Sequence, residues 1–140
     1  MIEVNKQTVH SLVEEVEGKG KYDLVNSLLA SDFRGHMPFA EVDGRDQYIA
    51  TTKMLRATFP DMEIHLSQRI AEDDLVAIRL TATGTQMSEF LGLPPSGREI
   101  QMNSAAFFRI AGGKIVEGWS FPDLFGLMKQ LGAIPKQESI

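Results

Sequence analysis

Four long strand-type segments follow one another in the second half of the chain, with no helical pattern between them. They cover residues 62–67, 75–85, 102–110 and 115–121, and they are rich in alternating apolar residues or in Val, Ile and Thr. Consecutive strands without crossover helices pair antiparallel. The segment Ala111-Gly112-Gly113-Lys114 predicts a tight three-residue hairpin with Gly113 in the left-handed conformation. We therefore expect an antiparallel sheet.

The first 60 residues read mainly as helices. Apolar residues recur at three- and four-residue spacing in 9–16, 22–29 and 48–55, and again in a short segment at 124–131. Only 33–37 reads as a short extended segment, because Pro38 opposes a helix there. Helices at one end of the chain must cover one face of the sheet. The predicted fold is α+β: a cone-shaped barrel in which a strongly curved antiparallel sheet wraps around N-terminal helices, as one domain over residues 1–140.

Composition and charge narrow the classes of function. The chain contains no cysteine, which removes disulfides, thiolate metal sites and cysteine nucleophiles. Its net charge of −5 disfavours nucleic-acid binding. It shows no signal peptide and no apolar run that could cross a membrane, so we expect a cytoplasmic protein without a membrane partner. The three histidines lack metal-ligand spacing, and we expect no metal site.

Three stretches resemble the SnoaL-like polyketide cyclases. Residues 84–98, GTQMSEFLGLPPSGR, are similar to a family segment of the form GT…EF.G.PPTGK. Phe59-Pro60-Asp61 follows the third helix in the family as well. The segment GKIVEGW at 113–119, followed by Asp123 and a short apolar helix ending in Leu131-Gly132, matches a third pattern. The chain departs from the family at Gln86, where many relatives carry a histidine.

The resemblance implies more than the residues do. It implies the cone fold, a reaction without a cofactor, a small apolar or aromatic molecule as partner, and pairing into a homodimer or higher homo-oligomer through the open face of the sheet. In the family the residue that matches Asp123 is the proposed acid–base group of an intramolecular aldol ring closure. One fold hosts many reactions and also plain binding proteins, so the fold alone does not give the function.

Asp123 is the first candidate for chemistry. Strand alternation would place it on the same face as Trp119 and Phe121. A carboxylate among aromatic rings is poorly solvated, which raises its pKa and suits it to acid–base work. The alternative is that Asp123 is the N-cap of the last helix, where aspartate is favoured.

Two further polar residues are candidate supporting groups. His36 lies on a short extended segment and could move a proton near neutral pH, or it could be an ordinary edge histidine. Across the hairpin, Asn103 and Gln101 would share a face with Phe121 and Asp123, and Asn103 could orient a carbonyl. A one-residue slip in register would turn Asn103 to the other face.

Large apolar side chains could line a ligand cavity or simply form the core. They are Trp119, Phe121, Tyr48, Phe107, Met54 and Met102. Tyr48 differs from the others because a buried hydroxyl needs a hydrogen-bond partner.

Three hypotheses follow from these residues. The first is a small-molecule enzyme that uses Asp123, His36 and Asn103 for aldol-type cyclisation or isomerisation. The second is a non-catalytic ligand-binding protein on the same fold. The third is an epoxide hydrolase or dehydratase, which needs a second acid or base facing Asp123; Arg109 lies on the Asn103 face, but no acid beside it completes such a set.

Overall fold

The computed structural model describes residues 1–134. The chain begins with α1 (Ile2–His10), which continues into a π-helical segment (Ser11–Glu17), followed by a 3-10 turn (Tyr22–Leu24) and the short α2 (Val25–Leu28). Strands β1 (Leu29–Met37) and β2 (Ala40–Asp43) precede the long helix α3 (Gly44–Thr58). Strands β3 (Glu63–Glu72), β4 (Leu75–Thr85), β5 (Glu99–Ala111) and β6 (Lys114–Pro122) follow, and α4 (Leu124–Gln130) is the last helix.

The six strands form one curled sheet in the order β2-β1-β6-β5-β4-β3. Its inner face packs against the helices of the N-terminal third, as the α+β prediction states. The predicted boundary at residue 140 lies outside the described residues. Within residues 1–134, no helix combines the length and the apolar character needed to cross a membrane.

The sheet is not wholly antiparallel, which corrects one prediction. Strand β1 pairs parallel with β6, and Gly35 lies opposite Gly118. Antiparallel pairing is expected for strands that follow each other in the chain through a short connection. The chain between β1 and β6 contains β2, α3 and three further strands, so that expectation does not apply to this pair. The helix predicted over 22–29 ends at Leu28, because Leu29 is the first residue of β1. The Leu29 side chain is fully buried there.

The hairpin between β5 and β6 has a two-residue loop, whereas the sequence predicts three residues. Gly112 and Gly113 both have positive φ, 60° and 77°, which is the signature of a type I′ turn. A bulge just beyond the turn shifts the pairing by one residue, so that Ala105 lies opposite Phe121. The two differences add up to a shift of two residues, which leaves the faces unchanged, and Asn103 shares a sheet face with Phe121 as predicted.

The core consists of two clusters. The larger joins the helices to the inner face of the sheet, and the apolar stripe predicted for the first helix is buried there: Val9, Leu12, Val13 and Val16 are at most 1% exposed. The smaller cluster joins the end of α3, the loop before β5 and α4 through Phe59, Phe90, Ile100, Leu127 and Leu131. A cavity lies where the two clusters meet.

Candidate active site

The cavity inside the cone has a volume of about 150 Å³. Helices contribute Val13, Glu17, Tyr48, Thr52 and Leu55 to its lining, and the sheet contributes residues that include Ile78, Leu80, Ala82, Ala106 and Phe108. Phe39, Phe59 and Phe90 also line it, and their rings meet edge to face at 5.6–5.9 Å. Such walls exclude water and bind apolar rings.

Glu17 and Tyr48 form a hydrogen-bonded pair on the helical wall of the cavity. The Tyr48 hydroxyl donates to Glu17 Oε2 at 2.6 Å, so the expectation that Tyr48 needs a partner is confirmed. Arg56 on α3 donates to the carbonyl oxygens of Glu17 and Gly18 at 3.2 and 2.8 Å. These bonds hold the end of the π-helical segment against α3 and place the carboxylate beside the phenol.

The environment of this pair shifts both pKa values. Burial raises the pKa of Glu17 to about 7, although the hydrogen bond from Tyr48 opposes the shift. Burial, with the adjacent carboxylate, also raises the pKa of Tyr48 well above its ordinary value. Near neutral pH the tyrosine is therefore a hydrogen-bond donor, and Glu17 exchanges between acid and base forms.

Glu17 is not among the candidate residues expected from the sequence, although the sequence carries a signal for it. The buried stripe of the first helix passes through Val9 and Val13, and the next position on that face, four residues on, is Glu17. An acid that continues an apolar stripe is either paired or functional. Gly18 comes directly after Glu17, and glycine commonly ends a helix. From the sequence, Glu17 therefore resembles an ordinary exposed residue at a helix end.

His36 lies between two carboxylates and against Trp119. Its Nε2 is 2.7 Å from Glu117 Oε2 and its Nδ1 is 2.7 Å from Glu41 Oε2. The hydrogen bond to Glu117 raises the pKa of His36, burial lowers it, and Glu41 raises it further. The rings of His36 and Trp119 stack at 5.7 Å, and both residues line the cavity. Whether His36 takes part in catalysis stays a prediction.

Asp123 is exposed and lies outside the cavity lining. Its Oδ1 accepts a hydrogen bond from the Gly126 backbone N–H at 2.9 Å, which makes it the N-cap of α4. Strand β6 ends at Pro122, so the alternation that would aim Asp123 at the aromatic rings stops one residue earlier. The structure thus shows the capping role, and the acid–base role implied by the resemblance stays a prediction.

Asn103 lies close to Asp123 but on the outer face of the sheet. Its carbonyl oxygen accepts from the Asp123 N–H at 2.9 Å, and its side-chain Oδ1 accepts from Thr81 Oγ1 at 3.1 Å. Asn103 is exposed and does not line the cavity. In β5 the even-numbered residues face inwards, Ser104 and Ala106 among them. Asn103 and Asp123 are adjacent as predicted, but Asn103 faces away from the cavity and Asp123 lies beyond the end of β6.

Of the residues predicted to line a pocket, Tyr48, Trp119 and Met102 do so. Phe107, Phe121 and Met54 do not, and they are 44%, 58% and 48% exposed. The two phenylalanines lie on the outer face, where their rings meet edge to face at 6.2 Å. The sequence shows which strand residues share a face but not which face is inside. Self-association through this outer face stays a prediction.

Arg109 is held on the outer face by Asp74. Its Nη1 lies 2.8 and 3.0 Å from the two carboxylate oxygens. Asp74 lies in the turn between β3 and β4, so the pair lies at one end of the sheet. Neither residue lines the cavity. An epoxide-opening set on this strand therefore gains no support from the geometry.

After the end of β4 at Thr85, the rest of the segment at 84–98 that carries much of the resemblance is a loop organised by Gln86. This side chain is fully buried. Its amide nitrogen donates to the carbonyl oxygens of Ser88 and Leu93, and its amide oxygen accepts from the Ser96 hydroxyl at 2.6 Å. Gln86 is thus the centre of the loop's hydrogen bonds.

Comparisons with known proteins agree with this architecture. The family model for SnoaL-like polyketide cyclases matches residues 7–131, and the chain belongs to that family. The aklanonic acid methyl ester cyclase DauD of Streptomyces sp. (strain C5) is 27% identical over 125 residues, which is 84% of this chain and 76% of DauD. The cavity therefore belongs to a protein of a cyclase family.

Two solved structures show the same fold. A SnoaL-like polyketide cyclase family protein from Jannaschia sp. CCS1 superimposes with a TM-score of 0.85 at 30% identity, covering 95% of this chain and 94% of that one. IdmH of Streptomyces antibioticus, assigned to the polyketide cyclases, gives a TM-score of 0.78 at 30% identity, covering 91% and 98%. The predicted family and fold are confirmed.

Proposed function

We propose that the protein binds a small, carbonyl-bearing apolar molecule in the cone cavity and catalyses proton transfer that closes a ring or isomerises the molecule, without a cofactor. The observation that carries the proposal is the cavity itself, whose apolar and aromatic walls enclose a few polar groups. Ring closure of an aldol type needs a site that holds a flexible chain, excludes water and moves one proton.

The cavity volume limits how the substrate sits. A cavity of about 150 Å³ accommodates roughly one benzene-sized ring. A polycyclic polyketide must therefore place one ring inside and leave the rest of its skeleton outside, or displace part of the wall. The relative DauD is named for aklanonic acid methyl ester, and this compound is a suitable first probe.

The experiment compares two neighbouring alanines on opposite faces of β5. Ala106 is buried and lines the cavity, whereas Ala105 lies on the outer face opposite Phe121. We expect Ala106→Leu to lower turnover of the probe at least tenfold, because the added side chain occupies ligand space, and Ala105→Leu to stay within about twofold. Circular dichroism confirms that both variants fold. Equal effects of the two substitutions would contradict a site inside the cone.

A non-catalytic binding protein is the second candidate. The observation that favours it is the position of Asp123 and Asn103, which both lie outside the cavity lining. The chain has a single tryptophan, Trp119, and it lines the cavity. Quenching of its fluorescence by the probe, with no ring-closed product in mass spectrometry, would support binding without catalysis.

A further inference from the structure

Glu17 is the one carboxylic acid among the lining residues of the described part of the chain. It is held from two sides, by the Tyr48 hydroxyl at its carboxylate and by Arg56 at its backbone carbonyl. The π-helical segment that ends at Glu17 widens the helix by one residue per turn, and such segments often mark functional positions. The carboxylate thus lies in an apolar cavity with one defined donor.

We propose that Glu17 is the acid–base residue of this cavity and that Tyr48 is the donor that positions and tunes it. The inference rests on the proposed function, because it names the group that moves the proton in that reaction. The substrate class is an apolar ketone or polyketone with a hydrogen on the carbon next to a carbonyl group.

One carboxylate is enough to take and return the proton in this step. The Glu17 carboxylate removes a proton from the carbon next to the carbonyl, and the C–H electron pair forms an enolate. In ring closure this pair makes the new C–C bond to a second carbonyl carbon, and the C=O π pair moves to its oxygen. Glu17 then returns the proton to that oxygen and is a carboxylate again. The phenol of Tyr48 stays protonated throughout.

The titratable and charged groups around Glu17 are consistent with this role. Tyr48 and Arg56 face it from α3, Tyr22 lies beside Tyr48, and His36 lines the cavity from β1. Loss of solvation raises the pKa of the partly buried Glu17 carboxylate to about 7, and a general base is most effective when its pKa lies near the working pH.

The first experiment measures proton exchange and does not depend on ring closure. Acetophenone, a ring-sized ketone, is incubated with the protein in D₂O, and loss of its methyl proton signal is followed by NMR. We expect the wild type to accelerate exchange and Glu17→Gln to slow it at least 100-fold, because glutamine keeps the hydrogen bond from Tyr48 but cannot take a proton.

A control acid lies on the same helical segment. Glu15 pairs with Lys19 and Lys21 and lies outside the cavity lining, so Glu15→Gln should change exchange less than twofold. Acetophenone binding, measured by Trp119 fluorescence, should change less than threefold in Glu17→Gln. Exchange within threefold of the wild type in Glu17→Gln, or no exchange above background in the wild type, would overturn the assignment.

The second variant separates positioning from structure. Tyr48→Phe removes the hydrogen bond that lowers the Glu17 pKa, so the rising limb of the pH–rate profile should move from about pH 7 to higher pH. If the rising limb of the Tyr48→Phe profile stays at the pH of the wild type, the proposed role of Tyr48 is wrong.

The two proposals fail in different ways. If the probe polyketide is ring-closed and Glu17→Gln retains that turnover, the assignment of Glu17 is wrong and the proposed function stands. If acetophenone exchange depends on Glu17 but no ring closure is found with any polyketone tested, the acid–base assignment stands and the proposed reaction is wrong.

Discussion

His36 on β1 and Glu117 on β6 are joined across the parallel pairing of these two strands, with 2.7 Å between Nε2 and Oε2. Glu41 on β2 binds the other ring nitrogen at the same distance, so one imidazole connects three strands. Because its pKa is raised by Glu117 and Glu41, the charged form of His36 stabilises the fold.

The sign of this effect is set by the raised pKa. The stabilisation is fully present below the unfolded value of about 6.5 and is lost as pH rises through the higher folded value. We expect the difference in melting temperature between the wild type and His36→Gln to be larger at pH 6 than at pH 9. His65→Gln, on exposed β3, is the control for general pH effects. A difference that grows with pH would contradict the ion pairs.

Substitution of Glu17 should have the opposite effect to substitution of His36, because it should stabilise the protein. Its pKa is raised to about 7, so the folded protein holds the proton more tightly than the unfolded chain and stability falls as pH rises from about 4.5 to 7. Glu17→Gln removes this loss. We expect the variant to gain up to about 3 kcal/mol over the wild type between pH 5 and pH 8.

Denaturant unfolding at several pH values measures this gain. Glu15→Gln should show no such gain, because its carboxylate pairs with Lys21 and Lys19, which lower its pKa. A constant difference between Glu17→Gln and the wild type across this pH range would show that the Glu17 carboxylate is not buried in solution.

The capping role of Asp123 predicts a distinction between two substitutions. Asp123→Ala removes the acceptor for the Gly126 N–H and should cost about 1 kcal/mol, whereas Asp123→Asn keeps a good cap and should cost less than about 0.5 kcal/mol. Equal losses would contradict the cap. Turnover of Asp123→Asn, which keeps the helix end, tests the acid–base role that the family resemblance implies.

Gln86 should be among the most sensitive polar positions. Gln86→Leu fills a similar space but leaves the Ser96 hydroxyl and the carbonyl oxygens of Ser88 and Leu93 without the amide they bind. We expect a loss of about 3 kcal/mol in the free energy of unfolding. Ser96→Ala removes one of these bonds and should cost about 1 kcal/mol. Similar losses in both variants would mean that the loop is organised by other contacts.

The sequence by itself determined the class of fold. The long strands from Leu75 to Thr85 and from Met102 to Ile110 carry a period of two, and the stripe from Val9 to Val16 carries the period of a helix. These patterns follow from local backbone geometry, so they can be recognised without knowing which elements pack against each other. The resemblance carried by residues 84–98 and 113–132 added the cyclase family.

Only the tertiary structure decided which groups share the cavity. Alternation in β5 and β6 shows that Asn103 and Phe121 lie on one face, but it is the packing of the helices against the other face that turns them outwards. The pairing of Glu17 with Tyr48 joins residues 31 positions apart, and no local pattern records a contact between helices at that separation. The apolar stripe places Glu17 on the inner face of the first helix, but only the folded chain brings its carboxylate to Tyr48 and to the cavity wall.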